Sequence, residues 1–169
     1  MNSYRHRVAE FISEQVLNAP IGSPLENCFV QFSNRENKLE GMELAPNNQV
    51  VIACNKAQGN FYGKGCSTTP GRAVADSNQV KVVVGFFLTL DKRKDEVTPI
   101  EQETATEKVW SVMEAVADAV FNNYTLGDRV KDAKATKWFE DSDNLRTRVT
   151  TEAYLLIEMN TTISAGNIR

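Results

Sequence analysis

The segment that most constrains this chain runs from residue 79 to 91, where Val80, Val82, Val84, Phe86, Leu88 and Leu90 recur at every second position. A period of two places all six on one face of a β-strand. Val83 and Phe87 make the opposite face partly apolar as well, so this strand needs neighbours on both sides and belongs in the middle of a sheet. The segment 148–159 alternates almost as regularly. Val149, Thr151, Ala153, Leu155, Ile157 and Met159 face one way, and Arg148, Thr150, Glu152, Tyr154, Leu156 and Glu158 the other.

Two segments repeat at helical spacing instead. Tyr4, Val8, Phe11, Ile12 and Val16 predict a helix over 4–17, stopped by Asn18-Ala19-Pro20, because proline restricts the residue before it. Thr98-Pro99-Ile100-Glu101 predicts a helix start, with Thr98 as cap, Pro99 at the first helical position and Glu101 completing a capping box. Val109, Val112, Met113, Val116, Ala117 and Val120 then form one apolar stripe, ended by Asn122-Asn123 and Gly127. Such a stripe packs on a sheet.

Asn27 to Phe32 and Gln49 to Asn55 are short, apolar and partly β-branched, and read as two strands. The region about 58–78 is rich in Gly, Asn, Ser, Thr and Pro and is expected to be a long irregular loop. Arg129 to Phe139 is expected to be an edge strand, since Lys131, Lys134 and Lys137 would discourage unwanted pairing. Glu140-Asp141-Ser142-Asp143-Asn144 is expected to be a polar turn. The order α-β-β-β-α-β-β implies an α+β fold: one mostly antiparallel sheet with two helices packed on one face. With 169 residues, a single domain over 1–169 is expected.

Composition narrows the function classes. The 19 basic and 22 acidic residues leave a formal charge of -3, which argues against a surface built mainly to grip phosphates. No window holds the roughly 20 apolar residues of a bilayer span. The N-terminal stretch carries Glu10 and Glu14 within an amphipathic pattern rather than the continuous apolar core of a secretory signal, so the chain is expected to stay in the cytosol. Cys28, Cys54 and Cys66 contain no Cys-x-x-Cys, so neither a disulfide framework nor a thiolate metal site is indicated.

Catalytic players are scarce. The chain has one histidine, His6, in a basic stretch where a solvated side chain is the ordinary reading, so a Ser-His-Asp or Cys-His set has little to build with. Gly59-x-x-x-Gly63-Lys64-Gly65 has its first two glycines one residue too close for a phosphate loop, and Gly65 stands where Ser or Thr would hold magnesium. Glu140, Asp141 and Asp143 lack the spacing and later Glu of a calcium loop. Cys66 would become reactive only if Lys64 or Arg72 lowered its thiol pKa. No catalytic, metal or cofactor site is expected.

The second half carries a resemblance. The helix Glu107-Lys108-Val109-Trp110-Ser111-Val112-Met113-Glu114-Ala115-Val116, the Leu126-Gly127 stop, the strand segment Val130-Lys131-Asp132-Ala133, the acidic turn and the strand 148–159 together resemble the tail terminator (tail completion) proteins of long-tailed bacteriophages. The resemblance implies a non-enzymatic virion subunit, located in the tail and assembled in the host cytoplasm. It implies a homo-hexameric ring that caps the tail tube, stops its polymerisation and joins it to a head-side connector or stopper. DNA would only pass through the lumen, and no membrane is involved. Within that reading Phe61 and Tyr62 are candidate aromatic anchors, Lys64 and Arg72 candidate partners for acids, and Lys92, Arg93 and Lys94 a charged rim. The alternatives are another head-to-tail or tail tube virion protein, or a small cysteine-dependent enzyme.

Overall fold

A computed structural model describes residues 4–31, 49–61, 76–143 and 148–163. The elements follow the expected order: α1 (Tyr4–Leu17), β1 (Phe29–Gln31), β2 (Val51–Phe61), β3 (Asp76–Arg93), a short 3-10 helix (Lys94–Glu96), α2 (Pro99–Asn122), β4 (Asp132–Asp143) and β5 (Arg148–Ile163). The strands form one five-stranded sheet in the order β1-β2-β3-β5-β4. β1 runs parallel to β2, and every other pairing is antiparallel. This is the α+β fold that the alternation and the two amphipathic stripes imply. No helix among the described residues is long and apolar enough to cross a membrane.

β3 is central, as its two-sided apolar pattern requires. Val82, Val84 and Phe86 are fully buried on the side that faces the helices, and Phe87 is buried on the other. The main core joins Val8, Phe11 and Ile12 of α1 and Val109, Val112, Met113, Val116 and Val120 of α2 to alternate residues of β2, β3 and β5. Both helices therefore cover the same face of the sheet. Burying a side chain such as Phe86 contributes roughly 2 to 3 kcal/mol.

α2 begins as its first residues dictate. The Thr98 hydroxyl accepts the Glu101 N–H at 3.2 Å and donates to the Glu101 carboxylate at 3.2 Å, and Pro99 occupies the first turn. Beyond the helix, Leu126, Gly127 and Asp128 all take positive φ. Gly127 sits at φ 66°, a left-handed conformation that glycine adopts without steric cost. Leu126 is fully buried, which offsets its unfavourable backbone. The Arg129 and Val130 N–H groups both donate to the Thr125 carbonyl, so these two residues belong to the turn and the strand expected from Arg129 starts only at Asp132.

Other boundaries also differ from the sequence reading. Residues 58–61 and 76–78, assigned to the long loop, are paired strand: Gln58 lies opposite Lys81, Gly59 opposite Val80 and Phe61 opposite Asn78. β3 outlasts its apolar stretch, and its backbone groups offer a ladder whatever the side chains opposite. Residues 62–75 of that loop lie outside the described residues. Glu140 to Asp143, read as a turn, continue β4 opposite Ala153, Glu152, Thr151 and Thr150, held by the same backbone pairing. At the other end, the expected strand 27–32 starts only at Phe29, because Asn27 adopts a left-handed turn conformation, and Phe32 lies outside the described residues.

Candidate functional site

The residues singled out for an interface fall into two separate groups. Phe61 is the last residue of β2, opposite Asn78 near the start of β3. Tyr62, Lys64 and Arg72 lie outside the described residues. Lys92 and Arg93 close β3, and Lys94 opens the 3-10 helix. Fourteen residue steps of strand lead from Asn78 to Lys92, roughly 45 Å at the usual rise. The structure therefore puts Phe61 and the basic cluster at opposite ends of the sheet.

A different surface is assembled by the register of β3, β5 and β4. On the face away from the helices, Phe87 packs edge-on against Tyr154 with ring centroids 5.7 Å apart, and Tyr154 stacks on Phe139 at 4.9 Å. Val51, Ala53 and Phe87 form a small second core there. Toward β4 the same face opens: Leu156 is half-buried and Phe139 is 47% exposed. Glu152 sits in this layer at only 6% exposure, and its carboxylate accepts a hydrogen bond from the Tyr154 hydroxyl at 2.8 Å. Lys134 lies opposite Glu158 and Lys137 opposite Leu156, which places both lysines on this open face.

β4 is an edge strand, as its lysines imply, and it carries a register shift between Ala135 and Lys137. Lysines and bulges both discourage indiscriminate edge pairing. The shift also sends Trp138 to the helix side, opposite Leu155. There it meets Trp110 of α2 edge-on at 4.4 Å while remaining 56% exposed. The sequence offered one clue to these side chains: adjacent aromatics at 138 and 139 on a strand must point to opposite faces.

Among the described residues, a dense polar cluster fastens α1 to the turn after α2. Arg129 reaches the carboxylates of Glu10 and Glu14 and the Leu126 carbonyl, while its own carbonyl accepts from Arg7 at 3.1 Å. The hydrogen bond to Glu14, and then the two carboxylate charges, outweigh partial burial and push the guanidinium pKa up. His6 pairs with Glu10 at 2.9 Å, one turn along the same helix.

Of the residues considered for nucleophilic chemistry, Cys66 lies outside the described residues. Burial pushes the Cys28 thiol up to about 11 and the Cys54 thiol up to about 12, with Lys108 and Arg5 respectively pulling back by less. Both are kept as neutral thiols at physiological pH, the opposite of an activated nucleophile. In comparisons with known proteins, no protein-family model and no curated protein matches the chain.

Proposed function

We propose that the protein is a non-enzymatic virion subunit of the tail terminator type, which closes into a ring on the end of a phage tail tube, stops its growth and presents a surface to the head-side connector. One observation carries the reading: among the described residues, a single sheet with helices on one face leaves the opposite face open at β4–β5, with Phe139 exposed and no strand paired to the outer side of β4. Such a layer has its own core yet offers a second surface of the kind that joins subunits. The element order, α-β-β-β-α-β-β, is compatible with the resemblance, which implies a small α+β subunit. The raised thiols of Cys28 and Cys54 also weigh against a cysteine enzyme built on either of them.

The test is tube assembly. Tail tube subunits from the virus that encodes the chain are polymerised with and without the purified protein, and tube lengths are measured by negative-stain electron microscopy. Capping shortens and narrows the length distribution and leaves a ring at one tube end. Unchanged tube growth refutes the reading. Growth of long tubes from the protein alone replaces it with a tube subunit.

A further inference from the structure

The edge strand β4 carries its charge in two halves. Lys134 and Lys137 lie in its first half, and Asp141 and Asp143 in its second. The register with β5 sets all four on the sheet face away from the helices, opposite Glu158, Leu156, Glu152 and Thr150 respectively, with Phe139 between the halves on that same face. Lys134 and Lys137 are exposed, and among the described residues no ion pair engages either of them. Glu158, opposite Lys134, is held by Lys81 at 3.5 Å, and Asp132, at the start of the strand, accepts from the Asn160 amide at 2.9 Å. Among the described residues no strand pairs with the outer side of β4, so its backbone N–H and C=O groups there form a template for another strand.

A second β4 running antiparallel fits that template in one register. Residues directly opposite each other share a face of the sheet, and Thr136, which the β5 register skips, stays a bulge. With a two-fold axis at Phe139, Lys137 falls opposite the second copy's Asp141 and Lys134 opposite its Asp143, and the axis repeats both pairs. On the helix side Trp138 falls opposite Glu140 and Ala135 opposite Ser142, while Asp132 projects beyond the pairing. Neighbouring registers set like charges together. An axis at Trp138 puts Asp132 against Asp143, one at Lys137 puts Lys137 against itself, and one at Glu140 puts Glu140 against itself. Opposite charges directly across a strand pair stabilise it and like charges destabilise it.

The aromatic row points to the same register. Phe87, Tyr154 and Phe139 follow one another across β3, β5 and β4, and the row ends at the edge with Phe139 47% exposed. An axis at Phe139 sets this ring opposite its own copy, about 5 Å away between Cα atoms, and continues the row into the second molecule. We propose that two copies of the chain pair edge to edge through β4, antiparallel and with the two-fold axis at Phe139, which joins their two five-stranded sheets into one. The lysines and the bulge reject a general strand, and the acidic half of a second β4 is the strand that matches them. Identical patches make a contact that closes after two copies, so the pairing goes beyond the ring reading and does not rest on it.

Full-length variants test this by sedimentation velocity at low salt, with circular dichroism as the check on the fold. Wild type forms dimers, and raising the salt weakens them. K134E/K137E and D141K/D143K each set like charges against like in their own pairs and lose at least about tenfold in dimerisation. An equimolar mixture of the two regains it, because every cross-strand charge pair between the unlike copies is then of opposite sign. Phe139→Cys tests the axis with the charges intact. Mild oxidation links it to its own copy beyond the wild-type background, since directly opposite residues lie within disulfide reach. Thr136→Cys, several residues from its own copy in this register, stays unlinked. A wild type that stays monomeric to about 1 mM, either charge variant dimerising at wild-type strength, or a mixture that stays monomeric overturns the proposal. So does Phe139→Cys linking no faster than Thr136→Cys.

Discussion

Cys54 makes the stability of this protein depend on alkaline pH in a calculable way. Its side chain is 7% exposed in the core beneath α1, and burial raises its thiol pKa from 9.0 to about 12. Between those two values the native state holds a proton that the unfolded chain releases, so stability falls as pH rises. The contribution is complete below 9.0 and is progressively lost toward about 12. Each pH unit within the window costs about 1.4 kcal/mol, so raising the pH to about 10.5 removes roughly 2 kcal/mol. Lysines and tyrosines also titrate there, and the comparison that isolates the thiol is wild type against Cys54→Ala. Urea unfolding at about pH 8 and about pH 10.5, followed by circular dichroism, gives four stabilities. The variant starts about 1 to 2 kcal/mol lower because it loses buried volume, and wild type then loses roughly 2 kcal/mol more than the variant on the alkaline step. Equal losses within about 0.5 kcal/mol refute the reasoning and mean that β2 admits solvent at Cys54 in the native state.

Other outcomes follow from the packing. Phe86→Ala, in the central strand with no exposure, costs about 3 to 5 kcal/mol in urea unfolding; a cost below about 1 kcal/mol contradicts its place in the core. Thr98→Ala removes the acceptor for the Glu101 N–H and lowers stability by about 1 kcal/mol, whereas Thr98→Ser keeps it. Trp138→Ala deprives Trp110 of its edge-on partner. The chain has 2 tryptophans, so the remaining emission reports Trp110 alone and shifts to the red as water reaches it. Arg129→Met unties α1 from the turn after α2. Native-state hydrogen exchange then rises in residues 4–17 more than in α2, and uniform protection in both variant and wild type contradicts the fastening role.

Legibility in the sequence followed how local each cause was. The start of α2 was readable to the residue, because Thr98, Pro99 and Glu101 satisfy one another within a single turn. The central place of β3 was readable because Val83 and Phe87 demanded cover on the second face. The extent of β2 was not, since Gln58, Gly59 and Asn60 carry no strand signal and are strand only because β3 lies alongside. The same is true of Glu140 to Asp143, which read as a turn and pair with β5. The spacing of the candidate interface residues was not legible either: the length of β3 sets Phe61 and Lys92–Lys94 at opposite ends of the sheet.

The sequence by itself determined the α+β class, the two helices and their shared apolar function, the central strand and the lysine-bearing edge, because each depends on periodicity or capping within a dozen residues. Only the tertiary structure decided that β5 inserts between β3 and β4 and that Phe87, Tyr154 and Phe139 form a continuous aromatic row. Those features depend on register across strands far apart in the chain, and a shift of one residue would turn every one of these side chains to the other face.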